Sequence, residues 1–461
     1  MSPSKERESI LAGPIIRTLF RLGLPMMVAY GSQTLFNFVD RYFVARLGHV
    51  QVGALGMSFI LIGVIFAFSV GIGMGTTSLI SRSYGAAAYR DVKLAVMHAC
   101  YLGTLLYLLL LMIGDNGVRW LFRLLGSSED MLPYICEYTD VMLVGSVFIV
   151  GSLIGSGILR GIGDTVSIMK AMLIGNVLNV ALDPLLIFGW GPFPALGIRG
   201  AALATIFARA IAFALMFYYI TRHREALRPS RQHLSINFPI IKAVMNIGFP
   251  KTLGMLLINV SMGILFVLMK PYGDIYKSAH TIVFAYLQIT FMFIIGLSGA
   301  ALPMIGQNYG AGQHERMQRI FRLAAVIFSC FSCFMACLFI LFRAPLIGLF
   351  SNSRQLNEIG SHILVVIALG STVLGLRVLV VNTFGALGMG RNVLIVNFLQ
   401  TIGGILPFAL LFRWLIGVYG IWWGITVGNV LVTALSYVWL KGVIRRGVKK
   451  FVPVSQSPIA L

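Results

Sequence analysis

The stretch AMLIGNVLNVALDPLLIFGW, from Ala171 to Trp190, is an apolar helical run interrupted by one carboxylate, Asp183. Its length suits a bilayer-spanning helix, which needs about 20 residues. A carboxylate at that depth costs about 2.5–3.5 kcal/mol on insertion scales. Such a group faces a bundle interior or a watery cavity, where it binds a cation or exchanges a proton. Asp40 interrupts a second apolar run in the same way. The chain therefore reads first as a transporter.

Working outward, a mean hydropathy of +0.89 excludes an ordinary soluble enzyme. With 58% hydrophobic and only 11% charged residues, no soluble domain fits between the apolar windows. Those windows number twelve: 15–47, 52–80, 93–114, 131–160, 166–190, 197–221, 240–270, 276–306, 317–342, 358–385, 393–415 and 418–442. They predict an all-α membrane protein of twelve transmembrane helices. The first window lacks a small-residue cleavage site and is expected to be a retained helix.

A net charge of +21 would point to nucleic acid in a soluble chain. Here the cations sit between apolar runs. Arg82, Arg90 and Lys93 follow the second, Arg160 and Lys170 bracket the 4–5 connection, and Arg222, Arg228 and Lys242 flank the longest one. Arg316, Arg319 and Arg322 follow the eighth, and Lys441, Arg445 and Arg446 crowd the C-terminus. The positive-inside rule places all of these, with Arg7, Arg17 and Arg21, on one side. A multi-pass protein of a bacterial or archaeal plasma membrane, with both termini cytoplasmic, is expected. Its partners are then the bilayer and small molecules, with no nucleic acid. Cys330, Cys333 and Cys337 share a face without His or acid nearby, so packing rather than metal binding is expected.

The two halves resemble each other. Gly23-Leu24-Pro25 matches Gly248-Phe249-Pro250, and Tyr84-Gly85-Ala86 matches Tyr309-Gly310-Ala311, both 225 positions on (248 − 23, 309 − 84). Gly161 and Gly163 recur as Gly388 and Gly390, Asn176 as Asn397, and Gly197 to Gly200 as Gly417 to Gly420. An even number of helices per repeat gives a parallel repeat with a cavity between lobes. The expected organisation is an N-terminal lobe over 1–221, a basic cytoplasmic linker over 222–239, and a C-terminal lobe over 240–461. Only the first half carries deep carboxylates, so ion coupling is expected there.

In the first helix Gln33, Asn37 and Asp40 share one stripe, and in the fifth Asn176, Asn179 and Asp183 share another. Thr205 of the sixth helix falls at similar depth. Together these residues suit a hydrated, cation-attracting pocket in which H⁺ or Na⁺ neutralises a carboxylate, with Asp40, Asp183 and Asn179 as the Na⁺ ligands. Pro184 removes one helical hydrogen bond and permits bending beside Asp183. Pairing of Asp40 with Arg41 or Arg46 is the plain alternative. Gln33, Asn259, Gln288, Met292 and Asn382 are the expected substrate-facing residues. Arg209 and Arg377 are deep cations whose role the sequence leaves open.

At Phe38-Val39-Asp40, Ser83-Tyr84-Gly85-Ala86, Gly161-Ile162-Gly163-Asp164-Thr165 and Asn176-Val177-Leu178-Asn179 leading to Leu182-Asp183-Pro184, the chain resembles the multidrug and toxic compound extrusion (MATE) family. The pattern is most similar to the DNA-damage-inducible protein F-like branch. The resemblance implies two pseudosymmetric six-helix lobes and no cofactor. It implies export of amphipathic organic cations in exchange for H⁺, or alternatively Na⁺, by an antiporter expected to be monomeric. It also implies coupling through Asp40, Asn179, Asp183 and Thr205. A lipid-linked oligosaccharide flippase is the rival reading, for which a cavity rich in Lys and Arg is expected. An enzyme is not expected.

Overall fold

The computed structural model describes residues 3–190, 194–222, 227–228, 231–350, 353–448 and 450–456. Parts of the expected linker, 223–226 and 229–230, lie outside the described residues. The described residues form helices without strands. In the first half these are α1 (Pro3–Ala12), α2 (Ile15–Ala45), α3 (His49–Gly85), α4 (Tyr89–Leu111), α5 (Gly114–Leu124), α6 (Leu132–Val144), α7 (Ser146–Ile162), α8 (Thr165–Phe188) and α9 (Gly197–Arg222). The second half has α10 (Phe238–Met269), α11 (Asp274–Gly310), α12 (His314–Leu341), α13 (Arg343–Gly348), α14 (Arg354–Ser371), α15 (Leu374–Ala386) and α16 (Gly390–Phe398). A π-helical segment, Leu399–Ile405, leads into α17 (Leu406–Ile416), and α18 (Gly420–Arg445) follows.

Among the described residues nine helical stretches are long and apolar enough to cross a bilayer. One of them, Gly390–Arg445, contains two spans. The chain reverses at Gly417, whose φ of 73° favours glycine. Then α18 returns along α17, with Gly420 against Phe412 and Gly424 against Phe408. The pair α6–α7 forms one further span bent by 51° at Gly145. With α2, the spans among the described residues number twelve. Local signals set several boundaries: Asp164 caps α8 by accepting from Ser167 N (3.0 Å), and Asn237 caps α10 by accepting from Ile240 N (3.1 Å).

The repeat is visible in backbone detail. Helices α3 and α11 have 37 residues each. The turn after α3 is closed by Ala86 N to Arg82 O (3.0 Å) and Ala88 N to Ser83 O (2.8 Å). Its counterpart after α11 repeats both bonds, as Ala311 N to Gln307 O (2.9 Å) and Gln313 N to Asn308 O (2.9 Å). In each half an asparagine of the fifth span ties back to the first. Asn176 donates to Ser32 Oγ (2.8 Å), and Asn397 donates to Pro250 O (3.3 Å).

In each half the 37-residue helix of the second span packs against the other half. Helix α3 lies on α10 and α11, and α2 lies on α11. From Gly71 to Gly85 α3 is almost wholly buried, and so is α11 from Gly296 to Tyr309. Nearer their beginnings both helices are buried on one side only. The halves therefore close around the two Tyr-Gly-Ala turns, hereafter the turn end. There Gly85 abuts Gln307 O and Gly310 abuts Arg82 O, so closely that a Cβ would come within 2.0 and 1.9 Å. Gln307 Nε2 crosses to Gly161 O (3.0 Å), and Ser78 Oγ to Gly385 O (2.5 Å).

Candidate functional site

Helices α2, α6, α8 and α9 surround the two deep acids. Asp183 is fully buried and Asp40 is 4% exposed. The two lie within electrostatic range of each other. In the orientation that satisfies both ends of its amide, Asn179 donates to Asp183 Oδ2 (3.1 Å) and accepts from Thr205 N (3.1 Å). Asn176 reaches α2 through Ser32. Oδ1 of each aspartate is buried without a hydrogen-bond partner. A bare, unpaired carboxylate oxygen in such surroundings is costly, and a proton or a small cation relieves it.

The alternative pairing of Asp40 with Arg41 or Arg46 gives no ion pair among the described residues. Arg41 lies 5.3 Å over the Phe59 ring, and Arg46 donates to Tyr42 and stacks on its ring. The acids instead meet Tyr138 of α6, a buried phenol in range of both carboxylates whose hydroxyl faces Thr205. Sequence reasoning missed Tyr138, because a tyrosine in an apolar run looks like packing. It also missed Ser32, the hydroxyl that receives Asn176. Beside this group a cavity of about 10 Å³ is lined by Phe36, Asn176, Asn179, Thr205 and Arg209. That is about the room one water needs.

Asn37 is exposed and joins the group only indirectly. It accepts from Gln33 Nε2 (3.2 Å), and Gln33 Oε1 accepts from Arg209 (2.7 Å). Arg209 also sits 5.9 Å over Phe66, so this deep cation is held by an amide and a ring. The remaining substrate candidates are scattered. Met292 of α11 packs on Gly31 of α2, and Asn259 of α10 approaches Gly63 of α3, both across the seam between halves. Gln288 is exposed and Asn382 buried. The three cysteines of α12 are exposed rather than packed inside.

The second half lacks this pocket for a packing reason. Leu265, the counterpart of Asp40, is 1% exposed in an apolar core with Trp422 and Phe339. Gly404, opposite Asp183 in the repeat, lies where a Cβ would meet Gly428 O at 3.3 Å, so α18 occupies the space.

Comparisons with known proteins agree with this architecture. The MatE family model matches residues 25–185 and again 250–411. The chain is 29% identical to an FAD transporter of Shewanella oneidensis, over 90% of this chain and 92% of that protein. It is 26% identical to the multidrug export protein MepA of Staphylococcus saprophyticus, over 92% and 91%. It superposes on an outward-facing multidrug resistance MATE family transporter of the MOP superfamily with a TM-score of 0.89. The two are 26% identical over 96% of this chain and 98% of that one. The expected twelve-helix, two-lobe fold is the one found, in a multi-pass membrane protein that is a transporter and not an enzyme. With both halves matched by the same model, the chain belongs to the MatE family.

Proposed function

We propose that the protein is a proton-coupled exporter of small amphipathic molecules. It works by alternating access, with H⁺ exchanged at Asp40 and Asp183. The observation that carries this reading is the buried, partnerless Oδ1 on each acid, set among neutral donors from Asn176, Asn179 and Thr205. On this reading residues 1–221 form the coupling lobe and 240–461 the lobe that rocks against it. Both termini and the turn end are cytoplasmic, in the plasma membrane, and the working unit is a monomer. Closure at the turn end then corresponds to a cleft open to the outside. Protonation displaces Asn179 from Asp183, and Pro184 lets α8 bend in response.

Relatives named multidrug export proteins support small-molecule efflux. Organic cations are the substrate class expected from the family. The seam between the halves, however, carries Arg160, Lys251 and Arg377, and like-charge repulsion disfavours cations there. One relative is named as a transporter of FAD, which is an anion. The test is flux in proteoliposomes under an imposed pH gradient without Na⁺, then under a Na⁺ gradient alone. Flux driven by the pH gradient and abolished in Asp183→Asn is expected. Flux that requires Na⁺ would move the same acids, with Asn179, to Na⁺ coupling.

A further inference from the structure

Three cations from three helices converge along one stretch of the seam. Gly157 of α7 lies against Gly73 O, and Gly248 of α10 lies against Gly71 O, where added Cβ atoms would come to 2.4 and 3.0 Å. Helix α3 is thus flanked at neighbouring positions by a helix of each half. Arg160 stands one helical turn beyond its contact toward the turn end, because α7 runs with α3, as Thr77 on Gly157 O and Gly161 on Ile80 show. Lys251 stands one turn beyond its contact away from the turn end, because α10 runs against α3, with Val244 O on Gly75 and Gly248 O on Gly71. Helical side chains lean toward their own N-terminus, so these two lean toward each other.

Helix α15 runs the same way as α3, since Ser78 meets Gly385 and Arg82 meets Gly388. Arg377 lies eight residues before Gly385, and Gly71 seven before Ser78 (385 − 377, 78 − 71). Each climb is about 10–12 Å, which brings Arg377 to the Gly71 level. In agreement, Lys251 lies within electrostatic range of both Arg160 and Arg377.

No acid among the described residues forms an ion pair with these cations. Among the described residues the side chains of Lys251 and Arg377 make no hydrogen bond and no ion pair. Arg160 donates only to the hydroxyls of Tyr30 and Ser156, at 3.1 Å each, and its Nε is buried without a partner. All three side chains are partly exposed, so they border open space rather than packed core.

Three unpaired positive charges at this depth are unfavourable unless an anion answers them. One carboxylate would leave two of them unanswered. Two arginine forks and an ammonium match the several oxygens and multiple charge of a phosphate or pyrophosphate group. We propose that Arg160, Lys251 and Arg377 bind the phosphate or pyrophosphate group of the transported substrate, between the lobes. This rests on the exporter reading above. It separates the substrate's anion, held at the seam, from the proton, held by Asp40 and Asp183. Because α7 belongs to one half and α10 and α15 to the other, the bound group bridges both.

The test is equilibrium binding to the purified, full-length protein with no gradient. FAD, a fluorescent probe carrying a pyrophosphate, is compared with uncharged riboflavin and with cationic ethidium. FAD is expected to bind about tenfold or more tighter than riboflavin, to be displaced by inorganic pyrophosphate, and to be unaffected by ethidium. Lys251→Gln and Arg377→Gln should each weaken FAD binding about tenfold. Equal binding of FAD and riboflavin, or undiminished binding in these variants, would overturn the proposal. If the variants do not fold, failure of pyrophosphate to compete in the unaltered protein overturns it equally. Calorimetric binding of farnesyl pyrophosphate that inorganic pyrophosphate competes away, in place of an FAD signal, would keep the phosphate class and assign a lipid-linked source. Asp183→Asn should bind FAD normally. Loss of proton-driven flux with FAD bound tests the coupling reading alone.

Discussion

Asp91, buried near the start of α4, accepts the main-chain N–H of Val454 at 2.6 Å, joining the stretch after α18 to the first half across 363 positions. Its other oxygen accepts from Ser455 N (3.1 Å), and Phe451 in the same tail lies 5.3 Å from the Arg82 guanidinium. The tail from the second half is thereby strapped onto the first half at the turn end. Asp91→Ala removes charge-assisted bonds to a buried carboxylate and should cost about 2 kcal/mol of stability. A lower melting temperature in detergent, with faster transport as the turn end opens more easily, is the expected result. An unchanged melting point would show that the strap holds nothing.

Asp183→Asn should keep the fold, because an amide fills the same space and still bonds Asn179 with its own amide turned. Proton-driven export should fall to background while thermal stability stays level or rises. Asp40→Asn should behave alike. Export at the original rate in either variant would remove that acid from the coupling step.

Asn179→Leu leaves Asp183 Oδ2 and the Thr205 N–H without their shared partner. An unsatisfied buried group costs about 1–3 kcal/mol, so a marked drop in melting temperature is expected along with lost export. Thr205→Val should be milder, since the Thr205 contact used by Asn179 is the backbone N–H. Ranking the two variants by thermal unfolding checks the geometry directly.

Gly310→Val places branched carbon where Arg82 O already stands within 1.9 Å of an added Cβ. Backbone cannot yield as a flexible side chain does, so the halves should be forced apart at the turn end. Spin labels on the two Tyr-Gly-Ala turns should report a longer separation than in the unaltered protein. An identical distance distribution would contradict the packing described.

The helix count and the repeat were readable because bilayer-length apolar runs and punctuating Gly residues are local signals. Helix ends were less readable: the window 276–306 became Asp274–Gly310, since a helix continues past the point where hydrophobicity stops. The amphipathic α5 falls between the apolar windows, and the short α13, the break at Gly145 and the π-helical Leu399–Ile405 left no clear periodic trace. Asp40, Asp183, Asn176 and Asn179 stood out as polar residues in apolar helices. Tyr138 and Ser32 did not, because neither residue type is unusual there. Arg160 was grouped with the boundary cations, since its proximity to Lys251 arises only when α7 and α10 flank α3.

Gly85 on Gln307 and Gly310 on Arg82 are images of one another under the internal twofold, for 85 maps to 310 and 82 to 307. A self-complementary joint of this kind cannot be half undone: separating one contact tilts the axis that relates it to the other. The turn end should therefore act as a single all-or-none latch with two discrete positions rather than a graded aperture. That is the behaviour a carrier needs if the passage is never to stand open at both faces, and here it follows from duplication of the chain.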